Sequence, residues 1–260
     1  MANKKTGAAA AREGLRVVLW DIDGTLVTTR RRGVFKDYTA PAVKQLFGTA
    51  GRLGELRVSG MTDLQIVCEA LRDEGFTTAD VRARSRELCE HYLAELERLT
   101  NEHLLYYALP GAREALEAVE RHPRYLNALL TGNLEPAARW KLEATGLGGF
   151  FRLPGAFGED SHDRRDLPAL AAARINAHLK LDLHATQFVV VGDTPNDIAC
   201  ARHFGARAVA VATGRFHPAA ELAAFGPDAL LPDLKDTDAF MRALDSASAA
   251  PAPFTPPALG

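Results

Sequence analysis

Three short polar segments each follow an apolar run, and two of them carry paired aspartates. DIDGT, with Asp21 and Asp23, follows RVVLW; TGN, which begins at Thr131, follows LNALL; and GDTPND, with Asp193 and Asp197, follows QFVVV. In an open parallel sheet, ligands gather outside the carboxyl ends of the strands. If the apolar runs are parallel strands, these aspartates converge at one edge of the sheet.

The types of the candidate residues point to a metal ion. Asp21 and Asp23 are two apart on extended chain, so both carboxylates project to the same side, and Gly24 permits a sharp turn after them. Two like charges about 4 Å apart repel by on the order of 4 kcal/mol at an effective dielectric constant of 20, and a cation relieves that repulsion. All the candidate ligands are hard oxygens, with no Cys or His among them, which favours Mg²⁺.

A bound Mg²⁺ in turn indicates phosphoryl chemistry, because this ion commonly binds through one or two carboxylates plus a substrate phosphate. Thr131 offers a hydroxyl, and Gly132 with Asn133 allows backbone N–H groups to approach an anion closely. The alternative is that each aspartate is a helix cap or turn former, as most loop aspartates are. That alternative has to hold at every strand end at once, so the pattern as a whole favours a site.

Composition excludes several classes of protein. The chain has 260 residues, of which 47% are apolar and 25% charged, values typical of globular proteins. Its 31 basic and 33 acidic side chains give a net charge of −2, so we expect neither nucleic acid nor a membrane as a partner. The three widely spaced cysteines and an N-terminus without a signal-peptide core predict a cytoplasmic protein with reduced thiols. The oligomeric state stays open.

The elements that position the candidate residues alternate between short apolar runs and segments of helical period. The predicted strands are residues 16–20, 126–130, 187–191, 208–212 and 229–231. Helices are predicted after Pro110-Gly111, around Pro136 and from about Pro168 to Leu179. This alternation predicts an α/β fold with a Rossmann-like parallel sheet flanked by helices.

Residues from about 39 to 100 differ, because helices follow one another there without a convincing strand. The predictions are a helix from Thr39 to Gly48, one with a Leu64–Leu71 stripe, and one long helix capped by Thr77. We therefore predict an all-helical cap domain at 31–105, inserted into a core domain of 15–30 and 106–244. Disordered tails are predicted at 1–14 and 245–260.

The motifs DIDGTL, LLTGN and VVVGDTPND, in that order and each after an apolar strand, closely resemble those of the haloacid dehalogenase superfamily of aspartate-nucleophile phosphohydrolases. The resemblance covers about Arg16 to Leu231, and the helical insert lies where that superfamily places its cap. The chain looks most similar to the phosphoglycolate phosphatase-like group. The resemblance implies hydrolysis of a phosphate monoester with Mg²⁺.

It also implies roles for individual residues. Asp21 would be the nucleophile, and Asp23 the general acid that later becomes the base. The implied metal ligands are the Asp21 carboxylate, the Asp23 backbone carbonyl and Asp193, with Asp197 close behind. Phosphoryl oxygens would be bound by Thr131 and by the loop residues Gly24, Gly132 and Asn133.

One motif departs from the family pattern. The family usually has a Lys that offsets charge between nucleophile and phosphate, whereas this chain has SHDRRDLPAL before the helix near Pro168. Arg164 aligns best with that position, and Arg165 is the alternative. A third possibility is that the two arginines are simply a solvated pair of charges.

The cap segment RVSGMTD, residues 57–63, resembles the loop with which small helical caps select substrate. Arg57 could bind a second anionic group of the substrate, and Thr62 could contact it. Alternatively, Thr62 or Asp63 only caps the helix that follows.

These observations predict an Mg²⁺-dependent phosphatase that acts on a small phosphorylated metabolite. The alternatives are a phosphomutase of the same fold and a non-catalytic binding protein that keeps the fold. The second aspartate, Asp23, argues against a dehalogenase, because a halide leaves without a proton.

Overall fold

A five-stranded parallel sheet forms the centre of the chain, for which a computed structural model describes residues 14–30, 32–102 and 105–246. Its strands are β1 (Arg16–Trp20), β4 (Tyr125–Leu129), β5 (Phe188–Gly192), β6 (Arg207–Val211) and β7 (Ala229–Leu231), in the order β4-β1-β5-β6-β7. Each lies within one residue of its predicted range, so the predicted α/β fold is confirmed.

Helices cover both faces of the sheet. They are α5 (Ala112–Arg121), α6 (Glu135–Ala144), α7 (Leu167–Leu179), α8 (Pro195–Phe204), α9 (Ala219–Ala224) and α10 (Thr237–Ser246). One apolar cluster packs α5, α6 and α10 against one face, and a second packs α7, α8 and α9 against the other. Burial on both faces explains why the central strands are continuous apolar runs rather than alternating ones.

Four α-helices are described in the connection between β1 and α5. These are α1 (Val34–Phe47), α2 (Asp63–Leu71), α3 (Thr78–Ala83) and α4 (Ser85–Glu102). Helices α1 and α4 pack together, with the rings of Tyr38 and Tyr92 edge to face at 5.5 Å. A helical insert at this point of the α/β fold was predicted, and the structure confirms it.

A two-stranded antiparallel ribbon stands at the base of the insert. It pairs β2 (Val27–Thr29) with β3 (Tyr106–Ala108), so the chain leaves the sheet domain and returns to it side by side. Strands of three residues carry too little periodicity to be recognised in the sequence, and this ribbon was not predicted.

Two helix predictions were wrong in detail. Helix α1 begins at Val34, five residues before the predicted Thr39, and contains Pro41 in its interior. Proline normally ends a helix, but burial of Val34, Tyr38 and Val43 on the inner face of α1 outweighs that preference.

The long helix predicted after Thr77 is two helices. Thr77 and Asp80 form the expected capping box, but α3 ends at Ala83, and Arg84 has a non-helical backbone before α4 begins. The predicted inner face is retained on both helices, since Val81, Leu88 and Tyr92 are completely buried.

The predicted tails lie almost wholly outside the described residues, namely residues 1–13 and 247–260. Residues 245 and 246, which were assigned to the C-terminal tail, belong instead to α10. Asp245 accepts a hydrogen bond from the Tyr125 hydroxyl at 2.7 Å, which holds this end of α10 on the sheet. Within the described ranges, no helix combines the length and hydropathy needed to cross a bilayer.

Candidate active site

Three buried aspartates meet at the carboxyl ends of β1 and β5. The Asp21 N–H continues the β1–β5 ladder by donating to the Val191 carbonyl at 2.9 Å. Asp193 directly follows β5, and Asp197 lies in the first turn of α8. Carboxylate oxygens of the three aspartates lie within 4.8 Å of one another. Three of the four aspartates predicted to converge, Asp21, Asp193 and Asp197, are therefore brought together, and the Asp23 carboxylate is not among them.

Arg164 is the cation inside this cluster. Its Nη2 donates to Oδ1 of Asp21 at 2.8 Å and also to Oδ1 of Asp197, and the residue is 6% exposed. Arg165 is exposed and pairs with its neighbour Asp163 at 2.6 Å. Of the two arginines left open by the sequence, only Arg164 reaches the aspartates.

With its three carboxyls ionised, the cluster would hold more negative than positive charge. Burial raises the pKa of the Asp21 carboxyl to about 7, with Asp197 adding to the rise and Arg164 opposing it. Burial and then Asp21 raise the pKa of Asp193 well above its ordinary value. One guanidinium does not neutralise three carboxylates, so the cluster suits a further cation.

The donor set fits a hard divalent metal ion. The grouped atoms are all carboxylate oxygens, the ligands that Mg²⁺ takes, and neither His nor Cys belongs to this group. Both oxygens of Asp197 are already engaged, Oδ1 by Arg164 and Oδ2 by the N–H and hydroxyl of Thr194. Asp21 and Asp193 are therefore better placed than Asp197 to bind a metal directly.

Asp23 lies apart from this cluster and in different surroundings. Its side chain is 44% exposed, and its Oδ2 accepts hydrogen bonds from Nδ2 of Asn133 and Nζ of Lys141, each at 2.7 Å. The carboxylate of Asp23 is not part of the acidic group, as expected if only its backbone carbonyl binds metal.

The loop after β4 places Thr131, Gly132 and Asn133 in the lining of a cavity that also contains Asp21 and Asp23. The completely buried Thr131 hydroxyl accepts from Nδ2 of Asn133 at 2.8 Å, so the O–H of Thr131 remains free to donate. Among the described residues, the Gly132 N–H has no partner, whereas the Asn133 N–H already donates to Thr131 at 3.3 Å. The loop thus offers an anion the Thr131 hydroxyl and the Gly132 N–H.

Gly24 allows the first loop to pass close to Asp193. Its φ is +89°, and a Cβ at this position would lie 2.3 Å from Oδ2 of Asp193. The Gly24 carbonyl accepts from the Thr213 hydroxyl at 2.6 Å, which fixes the turn. A side chain here would displace the acidic cluster.

The insert closes over the site through the loop of residues 57–63. The Gly60 carbonyl accepts from Nδ2 of Asn196 at 2.9 Å and from Nη1 of Arg164 at 3.3 Å.

The same loop also contacts the loop after β4. The Asp63 N–H donates to the Gly132 carbonyl at 2.7 Å, and Oδ2 of Asp63 accepts from the Leu134 N–H at 2.9 Å. The insert therefore contacts both the cluster and the β4 loop.

Arg57 and Thr62, the two residues predicted to contact substrate from this loop, are placed differently. Arg57 is exposed and lines the cavity. Thr62 is completely buried, does not line the cavity, and its hydroxyl accepts from the Gln65 N–H at 3.1 Å. The structure thus gives Thr62 the helix-capping role that the sequence left as the alternative to substrate contact.

These residues surround one cavity of about 810 Å³ between the sheet edge and the insert. Its lining includes the acidic residues Asp21, Asp23 and Asp193. It also includes basic side chains, among them Arg32, Lys36, Arg57 and Arg215. The volume lies in the range typical of small-molecule sites.

Sequence reasoning missed two polar residues of the site, Lys141 and Asp63. Lys141 lies on α6 and is 1% exposed, beside Asp23. The sequence predicts Asp63 only as a helix cap, yet burial raises the pKa of its carboxyl to about 7 although Lys141 and the Leu134 N–H lower it. The one available signal was that each interrupts an otherwise apolar helix face.

A family model described as haloacid dehalogenase-like hydrolase matches residues 18–202, and a second, HAD-hydrolase-like, matches residues 169–237. No curated protein sequence matches the chain.

Solved structures share the fold. A hydrolase from Pseudomonas syringae is 22% identical, with 90% of this chain and 100% of that one covered and a TM-score of 0.59. A predicted phosphoglycolate phosphatase from Haemophilus somnus 129PT is 20% identical, with 88% and 98% covered and a TM-score of 0.57. CbbY from Rhodobacter sphaeroides, solved in complex with phosphate, is 18% identical, with 85% and 96% covered and a TM-score of 0.57.

Proposed function

The chain belongs to the haloacid dehalogenase-like hydrolase family, and from that membership we propose that it is an Mg²⁺-dependent phosphatase of small phosphate monoesters. The proposal assigns Asp21 as nucleophile and Asp23 as general acid and base. The proposed substrate is a small phosphorylated metabolite, and a cavity of about 810 Å³ is large enough for one.

The observation that supports this assignment best is the contrast between two aspartates only two residues apart. Asp21 is 5% exposed and lies among the carboxylates that suit a metal ion. Asp23 lies outside that group with its side chain 44% exposed. Two carboxyls in such different surroundings suit two different chemical roles.

In the first step, a carboxylate oxygen of Asp21 attacks phosphorus opposite the ester oxygen. The P–O bond to the alcohol breaks as the new P–O bond to Asp21 forms, and Asp23 gives its proton to the departing oxygen. Arg164 donates to Oδ1 of Asp21 at 2.8 Å, which would hold the Asp21 carboxylate in a fixed orientation for the attack.

In the second step, Asp23, now a carboxylate, accepts a proton from water. The resulting nucleophile attacks phosphorus, the P–O bond to Asp21 breaks, and inorganic phosphate leaves with Asp21 and Asp23 restored. The Thr131 hydroxyl and the Gly132 N–H would donate to the phosphoryl oxygens in both steps.

Asp21 and Asp193, with the Asp23 carbonyl, would hold Mg²⁺, and Asp197 would support them. When bound, the ion would supply positive charge that offsets the charge on the phosphoryl oxygens. Asp197 would act through its bonds to Arg164 and Thr194, which orient both groups toward the site.

The insert, residues 31–105, would be a cap domain that selects the substrate over a core of 15–30 and 106–244. Strand β2 ends at Thr29 and β3 begins at Tyr106, so the ribbon brackets the proposed boundaries. Arg57 would contact the part of the substrate that points away from the reacting phosphate. Exclusion of water by the cap would favour transfer to Asp21.

The test is phosphate release from p-nitrophenyl phosphate and from a panel of phosphorylated metabolites, measured with Mg²⁺ and with EDTA. We expect release with Mg²⁺, loss with EDTA and recovery when Mg²⁺ is restored. Asp21→Asn should lower kcat by about 10³-fold or more, because it removes the nucleophile. Acid-quenched wild-type enzyme should carry phosphate on Asp21 in mass spectrometry.

Asp182→Asn is the matched control, because Asp182 is exposed and does not line the cavity. Full activity of Asp21→Asn would remove the proposed nucleophile. Little phosphate release together with a requirement for a bisphosphate activator would identify a phosphomutase instead. No turnover by folded, Mg²⁺-loaded protein on any ester would leave the non-catalytic alternative.

A further inference from the structure

Lys141 is a charged side chain that the proposed mechanism does not use. It lies on α6 with 1% of its surface exposed, and it is among the largest fully buried side chains of the described residues. An ammonium group loses strong hydration when it is buried, and proteins keep such a group only where partners replace the water. The partners of Lys141 therefore indicate why it is there.

The two hydrogen-bond partners of the ammonium group, Asp23 and Asn133, both line the cavity of the candidate site. Nζ donates to Oδ2 of Asp23 at 2.7 Å and to Oδ1 of Asn133 at 2.6 Å. It lies 5.1 Å from the ring centroid of Tyr106 and 5.9 Å from that of Tyr38, both distances suited to cation–π contact. Burial lowers the pKa of Lys141, but Asp23, Tyr106 and Asp63 together more than offset this, so the net shift is upward and the amine stays charged.

The effect on Asp23 is to distinguish its two oxygens. Oδ2 accepts from both Lys141 and Nδ2 of Asn133, two donors that converge on one atom. Oδ1 has no hydrogen-bond partner within the part of the chain that the structure describes, and Asp23 lines the cavity. Oδ2 is anchored, and Oδ1 is left without a hydrogen bond on a residue that lines the cavity.

Asn133, the second donor to Asp23, is itself held by Lys141. Its Nδ2 is shared between Asp23 and the Thr131 hydroxyl, at 2.7 and 2.8 Å, and its Oδ1 is itself held by Lys141. Lys141 thus fixes both the carboxylate and the amide that touches it.

We propose that Lys141 is a positioning residue that locks the Asp23 side chain so that Oδ1 carries the proton to and from the reacting ester. This inference rests on the proposed function, which assigns proton transfer to Asp23. Lys141 itself touches neither substrate nor metal in this assignment. Lys141 would position Asp23 in both steps, first when Asp23 is the general acid and then when it is the general base.

The test compares two esters of similar shape whose leaving groups differ in their need for a proton. p-Nitrophenolate is stable as an anion near neutral pH, so it leaves phosphate without protonation. Phenolate, the leaving group of phenyl phosphate, is a stronger base, so its departure depends more on protonation by a general acid. The quantity to measure is kcat/KM for each ester, because kcat/KM reports the step in which the alcohol departs. The ratio of the two values is taken on one sample, so loss of folded protein cancels from it.

Lys141→Met keeps the length and apolar stem of the side chain but removes the charge. We expect the ratio of nitrophenyl to phenyl kcat/KM to rise about tenfold, because general acid catalysis typically contributes 10²–10⁴-fold and a mispositioned acid loses part of it. Asp23→Asn should raise the ratio further. Lys141→Met combined with Asp23→Asn should give the same ratio as Asp23→Asn alone.

Arg139→Met is the control on the same helix, because Arg139 is exposed and pairs with Glu135 away from Asp23. It should leave the ratio at the wild-type value, and a rise there would overturn the inference. A wild-type ratio in Lys141→Met, with a raised ratio in Asp23→Asn, would also overturn the inference and leave the proposed function intact. A wild-type ratio in Asp23→Asn would instead remove the proposed acid and, with it, the role of Lys141.

Discussion

Nη2 of Arg164 lies 2.8 Å from Oδ1 of Asp21, although 143 residues separate them in the chain. Both side chains are buried at the carboxyl end of β1. The contact fixes the orientation of the Asp21 carboxylate and offsets part of the negative charge around it. It also distinguishes two adjacent arginines that the sequence alone leaves equivalent.

We expect Arg164→Ala to lower kcat/KM for p-nitrophenyl phosphate by about 10²-fold or more, since a misplaced reacting group alone can cost that much. Removing one partner of a buried ion pair also destabilises a fold by about 3–5 kcal/mol, so urea denaturation should show a lower free energy of unfolding. Arg165→Ala is the control, because Arg165 is exposed and pairs only with its neighbour. Equal losses in both variants would contradict the assignment of Arg164.

The buried acidic cluster predicts stabilisation by Mg²⁺. Titration with the ion should raise the thermal midpoint of the protein, because an ion bound only by the folded state at 100 times its Kd adds about 2.7 kcal/mol. Asp193→Asn should abolish most of this shift, and Asp182→Asn should not change it. An undiminished shift in Asp193→Asn would show that the ion binds elsewhere.

The Asp63 carboxyl predicts a pH dependence of stability. Burial raises its pKa from 3.8 to about 7 in the folded chain, where Lys141, Asp23 and Glu159 face it. The folded state therefore holds this proton more tightly than the unfolded state. Below about pH 4 both states are protonated and the group contributes nothing; as the pH rises to about 7, its contribution to the free energy of unfolding becomes increasingly unfavourable.

Asp63→Asn should remove this decline while keeping an oxygen to accept from the Leu134 N–H. Relative to the wild type, its free energy of unfolding should improve between pH 4.5 and pH 8 by a few kcal/mol, at about 1.4 kcal/mol per pKa unit. The measurement is urea denaturation across that range with EDTA present, with Asp182→Asn as control. Parallel pH profiles for Asp63→Asn and wild type would refute the prediction.

The contact between Gly132 and Met61 predicts that the cap loop tolerates no side chain beneath it. A Cβ on Gly132 would lie 2.2 Å from the Met61 carbonyl oxygen. Gly132→Ala should push residues 57–63 away and weaken the bond between the Asp63 N–H and the Gly132 carbonyl. We expect a loss of about 10- to 100-fold in kcat/KM, in line with the effect of an ångström-scale displacement.

Gly149→Ala is the matched control, because a Cβ there meets nothing within 4 Å. It should keep wild-type activity. Wild-type activity in Gly132→Ala would mean that the cap loop need not sit this close during turnover.

The sheet and the converging aspartates could be predicted because both depend on local signals. Apolar runs such as Phe188–Gly192 are buried on both faces, and loop aspartates follow them directly. Once parallel strands are assumed, the position of Asp21 beside Asp193 follows from geometry.

Other features depend on contacts that no local pattern encodes. Lys141 is stabilised in the interior by Asp23, 118 residues away, and nothing in the α6 sequence identifies that partner. Similarly, Pro41 lies inside α1 because the inner face of that helix packs on α4. Tertiary packing decides these positions, and the sequence of each segment alone indicates a different outcome.

The ribbon of β2 and β3 has a consequence for how such proteins can be re-engineered. Thr28 lies opposite Tyr107, so everything between them leaves and re-enters the parent fold at adjacent points. Exchanging the intervening helices for a longer or shorter module changes the entropic free-energy cost of closing the chain only slightly, by about 0.6 kcal/mol for each doubling in length. A different domain can therefore be inserted at the ribbon without a change in the strand order of the sheet.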